Sequence, residues 1–233
     1  MNSFEIKIIA IITMLIDHIG LFFFPHILIL RVIGRLSFPL FAWLIANGAV
    51  HTKNIIAYAI RLFLFALISQ IPFAYVNQQI TPPFEGLNVI FTLFLGLAVI
   101  IVIQKTPRKY FWLLAAIIAS AIADVLYVDY GAVGVLSIIS FYLFYNKFDK
   151  MVVSQILLLF ILPYLMFLLE IFYHLHLSFY YMDSYYEFFG IFSLFFIARY
   201  NKKQGYKLKY LFYCFYPLQY VVIIFFKSFV HFK

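Results

Sequence analysis

The chain has 233 residues, 66% of them hydrophobic, 22% aromatic and 11% charged. Soluble domains carry about 25% charged and about 45–50% apolar residues, so a water-facing globular surface is excluded and the composition is that of an integral membrane protein with almost no soluble part. The net charge of +8 arises from 17 basic and 9 acidic residues without a clustered basic face, which argues against nucleic-acid binding, and the lone Cys214 excludes an intrachain disulfide and a thiolate metal cluster.

Long unbroken apolar runs, without ten-residue alternating segments, predict helices rather than a barrel. The expected fold is all-α: a polytopic transmembrane helical bundle of about 8–10 spans, forming a single integral membrane domain over residues 1–233. In chain order the predicted spans cover 6–24, 29–50, 55–76, 87–104, 110–127, 131–146, 151–173, 185–200 and 210–229. Pro72 predicts a kink in the third span. The segment from Asn77 to Gly86, with Pro82 and Pro83, is a loop, and Tyr127 to Gly131 is a tight turn. Glu5 beside Lys7, with no small-residue cleavage pattern after the apolar run, argues against a signal peptide, so the first helix is expected to be retained.

The loops between spans sort by charge. Those after spans two, four, six and eight hold Lys53, then Lys105, Arg108 and Lys109, then Lys147 and Lys150, then Lys202, Lys203, Lys207 and Lys209. The intervening loops hold almost no Lys or Arg, with Arg31 at the start of span two as the exception. The positive-inside rule therefore places the N-terminus and the even loops in the cytoplasm.

Several polar groups lie within the apolar spans. Each charged side chain at the centre of a span costs about 2.5–3.5 kcal/mol on insertion scales, so such groups are functional candidates by default. The first span carries Asp17 and His18. Lys7 stands eleven residues before His18, about 16 Å lower and close to three whole turns away. Lys7, Ile11, Met14 and His18 thus share one helix face. Span two brings Arg31 and Arg35, with Arg35 at about the depth of Asp17, and Pro39 predicts a broken helix there. Arg61, Ser69, Gln70, Asn88 and Thr92 place further polar groups in spans three and four, and Pro217 and Gln219 lie in the ninth. Residues 5–96 hold most of these candidates.

Two readings stand side by side for most of these groups. Asp17 and Arg35 form either a buried ion pair that fixes helix register, or a site in which Asp17 orients His18 and Arg35 holds the acid or a substrate. Adjacent helical residues point about 100° apart, so Asp17 does not easily grip the ring of its own neighbour. His18 is a general base or a structural imidazole. Lys7, Lys53 and Arg61 either snorkel to the cytoplasmic interface or receive a phosphate-bearing ligand from that side. No metal site is expected: His174, His176 and Asp183 form a loose set for zinc and are read instead as part of an interfacial aromatic-polar loop. No phosphate loop, dinucleotide fingerprint or nucleophile elbow occurs.

The pattern Lys7-x-Ile-Ala10-x3-Met14-x2-Asp17-His18-x-Gly20, followed by Arg31-x2-Gly34-Arg35-Leu-x-Phe38-Pro39-x-Phe41, His51-Thr52-x-Asn54, Arg61-Leu62, Ser69-Gln70-x-Pro72-Phe73 and Asn88-x3-Thr92, resembles the TraX family of bacterial inner-membrane proteins. Asp129-Tyr130-Gly131-x2-Gly134 and Phe215-Tyr216-Pro217-Leu218 extend the likeness, with Gln219 where the family pattern has His. The founding member of that family is an F-pilin acetylase. The first helix also resembles membrane acyltransferase type 3 proteins, whose signature is Arg-x10-His; here Lys7-x10-His18 keeps the spacing with Lys in place of Arg.

The resemblance implies a multi-pass protein of the bacterial cytoplasmic membrane that transfers acetyl from cytoplasmic acetyl-CoA to an amine or hydroxyl. The acceptor would be an extracytoplasmic protein such as pilin, or an envelope glycan or lipid. Carried onto this chain, it makes His18 the catalytic base with Asp17 and Arg35 beside it, and Lys7, Arg61, His51 and Lys53 the contacts to the donor. Arg31, Ser69, Gln70, Asn88 and Thr92 would line the polar cavity, with Arg35, Asn88 or Gln70 available to a developing oxyanion. Two other classes fit the same residues. A transporter or flippase would use broken helices and midplane charges, and a non-catalytic assembly factor for a surface structure would bind no acetyl-CoA.

Overall fold

A computed structural model describes residues 1–79, 82–165, 181–207 and 209–230. Glu170, His174 and His176 lie outside the described residues. The described chain is helical, with one isolated bridge between Leu87 and Val128 in place of any strand. Its helices are α1 (Ser3–Phe23), α2 (Leu28–Gly34), α3 (Ser37–His51), α4 (Ile55–Gln78), α5 (Val89–Lys105), α6 (Lys109–Val125), α7 (Gly131–Leu143), α8 (Phe148–Ile156, continued by a π turn Leu157–Ile161), a 3-10 segment Tyr181–Phe192 that runs into α9 (Ser193–Ala198), and α10 (Lys209–Val230). The predicted spans fall on these segments, the second on α2 and α3 together and the eighth on the 3-10 segment and α9; the seventh extends to 173, where residues beyond 165 lie outside the described ones. Among the described residues four stretches are long and apolar enough to cross a membrane by length and composition: Ser3–Phe23, Leu28–His51, Ile55–Gln78 and Phe148–Leu165.

Local chemistry explains the ends and breaks. Asn2 caps α1: its side chain accepts from Glu5 N at 2.9 Å while the Glu5 carboxylate accepts from Asn2 N at 3.2 Å. Asn54 and Asn88 cap α4 and α5 by accepting from Ala57 N and Ile90 N through their side chains. The predicted break in span two is present: α2 stops at Gly34 and α3 begins at Ser37. Pro39 therefore sits in the first turn of α3, where its missing N–H has no intrahelical partner to lose. Helix α4 runs on through Pro72. The eighth predicted span differs from expectation, because the chain is 3-10 from Tyr181 to Phe192 and α-helical only over Ser193–Ala198. Such a long 3-10 run is uncommon, and this one is held by contacts to the α2–α3 break described below.

The chain packs as two compact units. The first comprises Met1–Leu44 and Ser140–Gly205. Its ends are tied by backbone hydrogen bonds from Ser3 N to Lys203 O (2.8 Å), Phe4 N to Gln204 O (3.1 Å) and Asn201 N to Met1 O (2.8 Å). Its core holds Trp43 between Tyr200 (4.8 Å between ring centres, edge-on) and Tyr145 (6.4 Å). The fully buried Gln155 joins α8 to α7 by donating to Ser140 Oγ at 2.6 Å.

The second unit comprises Ile45–Ile139 and Tyr206–Lys233. Val99 of α5, Ala119 and Ala123 of α6, Val128, and Val135 and Ile139 of α7 form a continuous apolar cluster. Helix α4 packs on both α5 and α10. The tight turn predicted at Tyr127–Gly131 is present. Asp124 accepts from Ala132 N at 2.7 Å, and Leu87 pairs with the turn through Leu87 N to Tyr127 O (3.1 Å) and Asp129 N to Leu87 O (2.8 Å).

Loop neighbours within each unit follow the alternation seen in the charges. In the first unit the N-terminus lies against the loop carrying Lys202 and Lys203. In the second, Gln104 at the end of α5 donates to Ala49 O near the end of α3 at 3.0 Å, bringing the Lys53 and Lys105 loops to one end. The Gln70–Gly86 and Leu87–Tyr127 bonds join the loops of the opposite end.

Candidate functional site

The site is built on α1. Its continuous helix from Ser3 to Phe23 carries Lys7 and His18 on a single rod, so the three-turn spacing read from the sequence is physical. Asp17 faces α2. Gly34 makes this approach possible, since a Cβ on Gly34 would fall inside the Asp17 side chain. The close approach delivers the Asp17 carboxylate to two guanidinium groups. Arg31 Nη1 donates to Oδ2 at 2.7 Å, and Arg35 Nη2 reaches Oδ1 at 3.4 Å.

Arg35 has a second carboxylate partner. Its Nη1 donates to Glu187 Oε1, on the 3-10 segment 152 residues further along the chain. The same segment is pinned by Gly190, where a Cβ would stand 3.0 Å from Pro39 Cγ and 3.1 Å from Arg35 O. Absence of a side chain there lets the backbone lie directly on the α2–α3 break. Among the described residues two arginines and two carboxylates thus form a chain Arg31–Asp17–Arg35–Glu187. Charges so far from water persist only when paired, and removing one member leaves an uncompensated charge.

Both oxygens of Asp17 are engaged by arginine. Asp17 is therefore the centre of the ionic network, and its pairing with Arg35 joins the two groups that the sequence places at one depth. His18, the next residue, is half-buried, with its ring centre 5.9 Å from that of the buried Phe22.

Other predicted residues divide between the units. Lys7, Asp17, His18, Arg31 and Arg35 belong to the first; His51, Lys53, Arg61, Ser69, Gln70, Asn88 and Thr92 belong to the second. His51 Nδ1 lies 2.8 Å from Asn47 O; a carbonyl can only accept, so Nδ1 carries the proton and closes the last turn of α3. Lys53 is exposed, whereas Arg61 is half-buried and its Nε meets no partner.

Gln70 and Asn88 occupy each other. Gln70 Oε1 accepts from Asn88 N (3.0 Å) and Asn88 Nδ2 (2.8 Å), and Gln70 Nε2 donates to Gly86 O (2.9 Å). Asn88 also donates to Ala66 O (2.9 Å) and accepts from Ile90 N (3.0 Å). Thr92 Oγ1 donates to Asp129 O. These three side chains fasten α4, α5 and the Asp129 turn together, and their hydrogen-bonding capacity is taken up by the fold. Among the described residues no group of three or more His, Cys, Asp or Glu side chains is placed to hold a metal ion.

Sequence reasoning missed Glu187, placing it only at the start of a span. The available signal was an acidic residue inside the aromatic stretch Tyr181–Phe192, the same kind of misfit that singled out Asp17.

No solved structure matches the chain. Over 141 residues it is 31% identical to the protein named "Probable fimbrial assembly protein FimC, serogroup H1" of Dichelobacter nodosus, covering 56% of this chain and 57% of that protein. Over 107 residues it is 27% identical to "Uncharacterized protein RP591" of Rickettsia prowazekii (strain Madrid E), covering 46% and 40%. The chain thus spans about half the length of the curated relatives it matches. The family model described as TraX protein matches residues 3–227, and the chain belongs to the TraX family.

Proposed function

We propose that this membrane protein is a multi-pass acyltransferase of the bacterial cytoplasmic membrane. It moves an acetyl group from cytoplasmic acetyl-CoA to an amine or hydroxyl of an extracytoplasmic acceptor. One observation carries the reading: a half-buried imidazole, His18, stands three turns along an apolar helix from Lys7 and one residue from Asp17 of the Arg31–Asp17–Arg35–Glu187 network. Family membership and the Lys7-x10-His18 spacing support it.

In this reading neutral His18 accepts the proton of the acceptor amine or hydroxyl as that group attacks the thioester carbonyl. The tetrahedral intermediate collapses with loss of the CoA thiolate, which takes up a proton. Lys7, on the basic end of the same helix, is the proposed contact to the phosphates of the donor. Asp17 pairs with Arg31 and Arg35, and Arg35 is the proposed cation for developing negative charge. Arg61 is retained as a candidate anion contact of the second unit.

The test is transfer of radiolabelled acetyl from acetyl-CoA by purified protein to envelope fractions of a strain lacking it. Labelling of a protein or glycan band by wild type, and its loss in His18→Ala, is the expected result. Full labelling by the variant overturns the assignment of His18.

The name of the Dichelobacter nodosus relative favours a second reading, a non-catalytic factor in assembly of a surface structure. It predicts that acetyl-CoA neither binds the purified protein nor raises its melting temperature.

A further inference from the structure

Of the four crossing stretches among the described residues, Phe148–Leu165 is the least covered by protein: 17% of it is buried, against 61% of the apolar part of Leu28–His51. Helix α8 opens this stretch. Its inward face carries Met151 and Gln155, one turn apart and both fully buried. A second face carries Lys150, Val153, Ser154 and Leu157, at the spacing i, i+3, i+4, i+7 that sets side chains on one side of a helix. These four, with Asp149 in the first turn and Phe144 just beyond the end of α7, line an open groove of about 320 Å³. Its surface is almost wholly apolar, and Val153 (57%) and Leu157 (47%) stay exposed. The groove ends at Leu157, where the π turn Leu157–Ile161 breaks the register of the stripe.

The groove stands at the level of the lipid headgroups. A stretch of 18 residues is just long enough to cross the hydrocarbon, so its first turn falls at the interface. The charge alternation assigns that end, with Lys147 and Lys150, to the cytoplasmic side. Asp149 and Lys150 are both exposed there. They bring one negative and one positive charge to one end of an apolar slot that runs toward the hydrocarbon.

We propose that this groove holds one phospholipid with a zwitterionic, primary-amine headgroup of the ethanolamine type. Charge complementarity selects it. The phosphate meets the Lys150 ammonium, the headgroup amine meets the Asp149 carboxylate, and an acyl chain lies along Val153 and Leu157 against Phe144. Ser154 supports the same choice. Its hydroxyl donates to Met151 O at 2.8 Å, which leaves the oxygen able to accept from an ammonium but not to donate to a phosphate. A headgroup of net negative charge would set its phosphate on Lys150 with no cation for Asp149. A quaternary amine has no N–H to give to Asp149 or Ser154. The inference is independent of the acetyl-transfer reading and of the role of His18.

Full-length protein is purified in detergent, and its lipid binding is measured by native mass spectrometry with three probes of equal acyl chains: dioleoyl phosphatidylethanolamine, phosphatidylglycerol and phosphatidylcholine. Wild type should hold one phosphatidylethanolamine about threefold to fivefold more tightly than either of the others, the scale of a partly exposed charged contact. Asp149→Asn should erase that preference by weakening phosphatidylethanolamine alone. Lys150→Met should weaken all three lipids about threefold, through the shared phosphate. Lys109→Met, which removes an exposed cation at the start of α6, should change none. All three substitutions fall on exposed side chains, and melting temperatures equal to wild type should accompany them. Equal retention of the three lipids by wild type, a preference for phosphatidylglycerol or phosphatidylcholine, or an unchanged preference in Asp149→Asn overturns the inference and leaves the groove covered by bulk lipid only. A loss in Lys109→Met equal to that in Lys150→Met overturns it as well. Lipid retention is read without acetyl transfer, so failure of either reading is scored apart.

Discussion

The two units handle buried polarity in different ways. In the first, charges answer charges: Asp17 pairs with Arg31 and Arg35 of the next helical stretch, and Arg35 with Glu187, 152 residues further along the chain. In the second, neutral amides answer backbone: Gln70 and Asn88 bind each other and the carbonyls of Ala66 and Gly86. The ionic network concentrates its dependence on single residues, because each charge relies on one or two partners. The amide network spreads its bonds over backbone groups and cannot leave a bare charge behind.

Substitutions sharpen that contrast. Asp17→Ala should be the most damaging, since it strips both arginines of a shared partner. Breaking a buried ion pair costs about 3–5 kcal/mol, which thermal unfolding of the purified protein would register as the largest drop in melting temperature of the series. Gly34→Ala should follow at about 1–3 kcal/mol, because its Cβ cannot coexist with Asp17 in the present packing. It should also reduce transfer, by moving α2 from α1. Asn88→Ala, which removes a helix cap and its bonds to Gln70 and Ala66, should cost about 1–2 kcal/mol without changing the acceptor or donor preference. If it instead matched Asp17→Ala, the distinction between a concentrated and a distributed network would fail. Lys7→Met should change stability least, within about 0.5 kcal/mol. It should raise the KM for acetyl-CoA while leaving kcat nearly intact, which steady-state kinetics would separate.

Much of the fold was legible in the sequence because the bilayer constrains it. Apolar runs marked the helices, and Pro39 marked the break that the chain makes between Gly34 and Ser37. Pitch and span direction were enough to set Arg35 opposite Asp17. They could not show that Arg31 would make the shorter bond, since depth fixes position along a helix axis and not the rotation about it. Glu187 escaped for another reason: its partner lies 152 residues away, and no local pattern reports a contact of that separation. The 3-10 form of Tyr181–Phe192 escaped because tertiary anchors at Glu187 and Gly190, rather than propensity, determine it. The pairing of Gln70 with Asn88 was likewise hidden, and both residues read as cavity lining until their bonds were seen.

We propose that the imidazole of His18, one residue from Asp17 of the ionic network, performs the chemistry. Acetyl transfer and thermal unfolding measured together on His18→Ala test this most directly. The account predicts loss of labelled product by at least about a hundredfold, with a melting temperature and acetyl-CoA affinity equal to those of wild type. Full transfer by His18→Ala, in protein that folds and binds the donor normally, would contradict it.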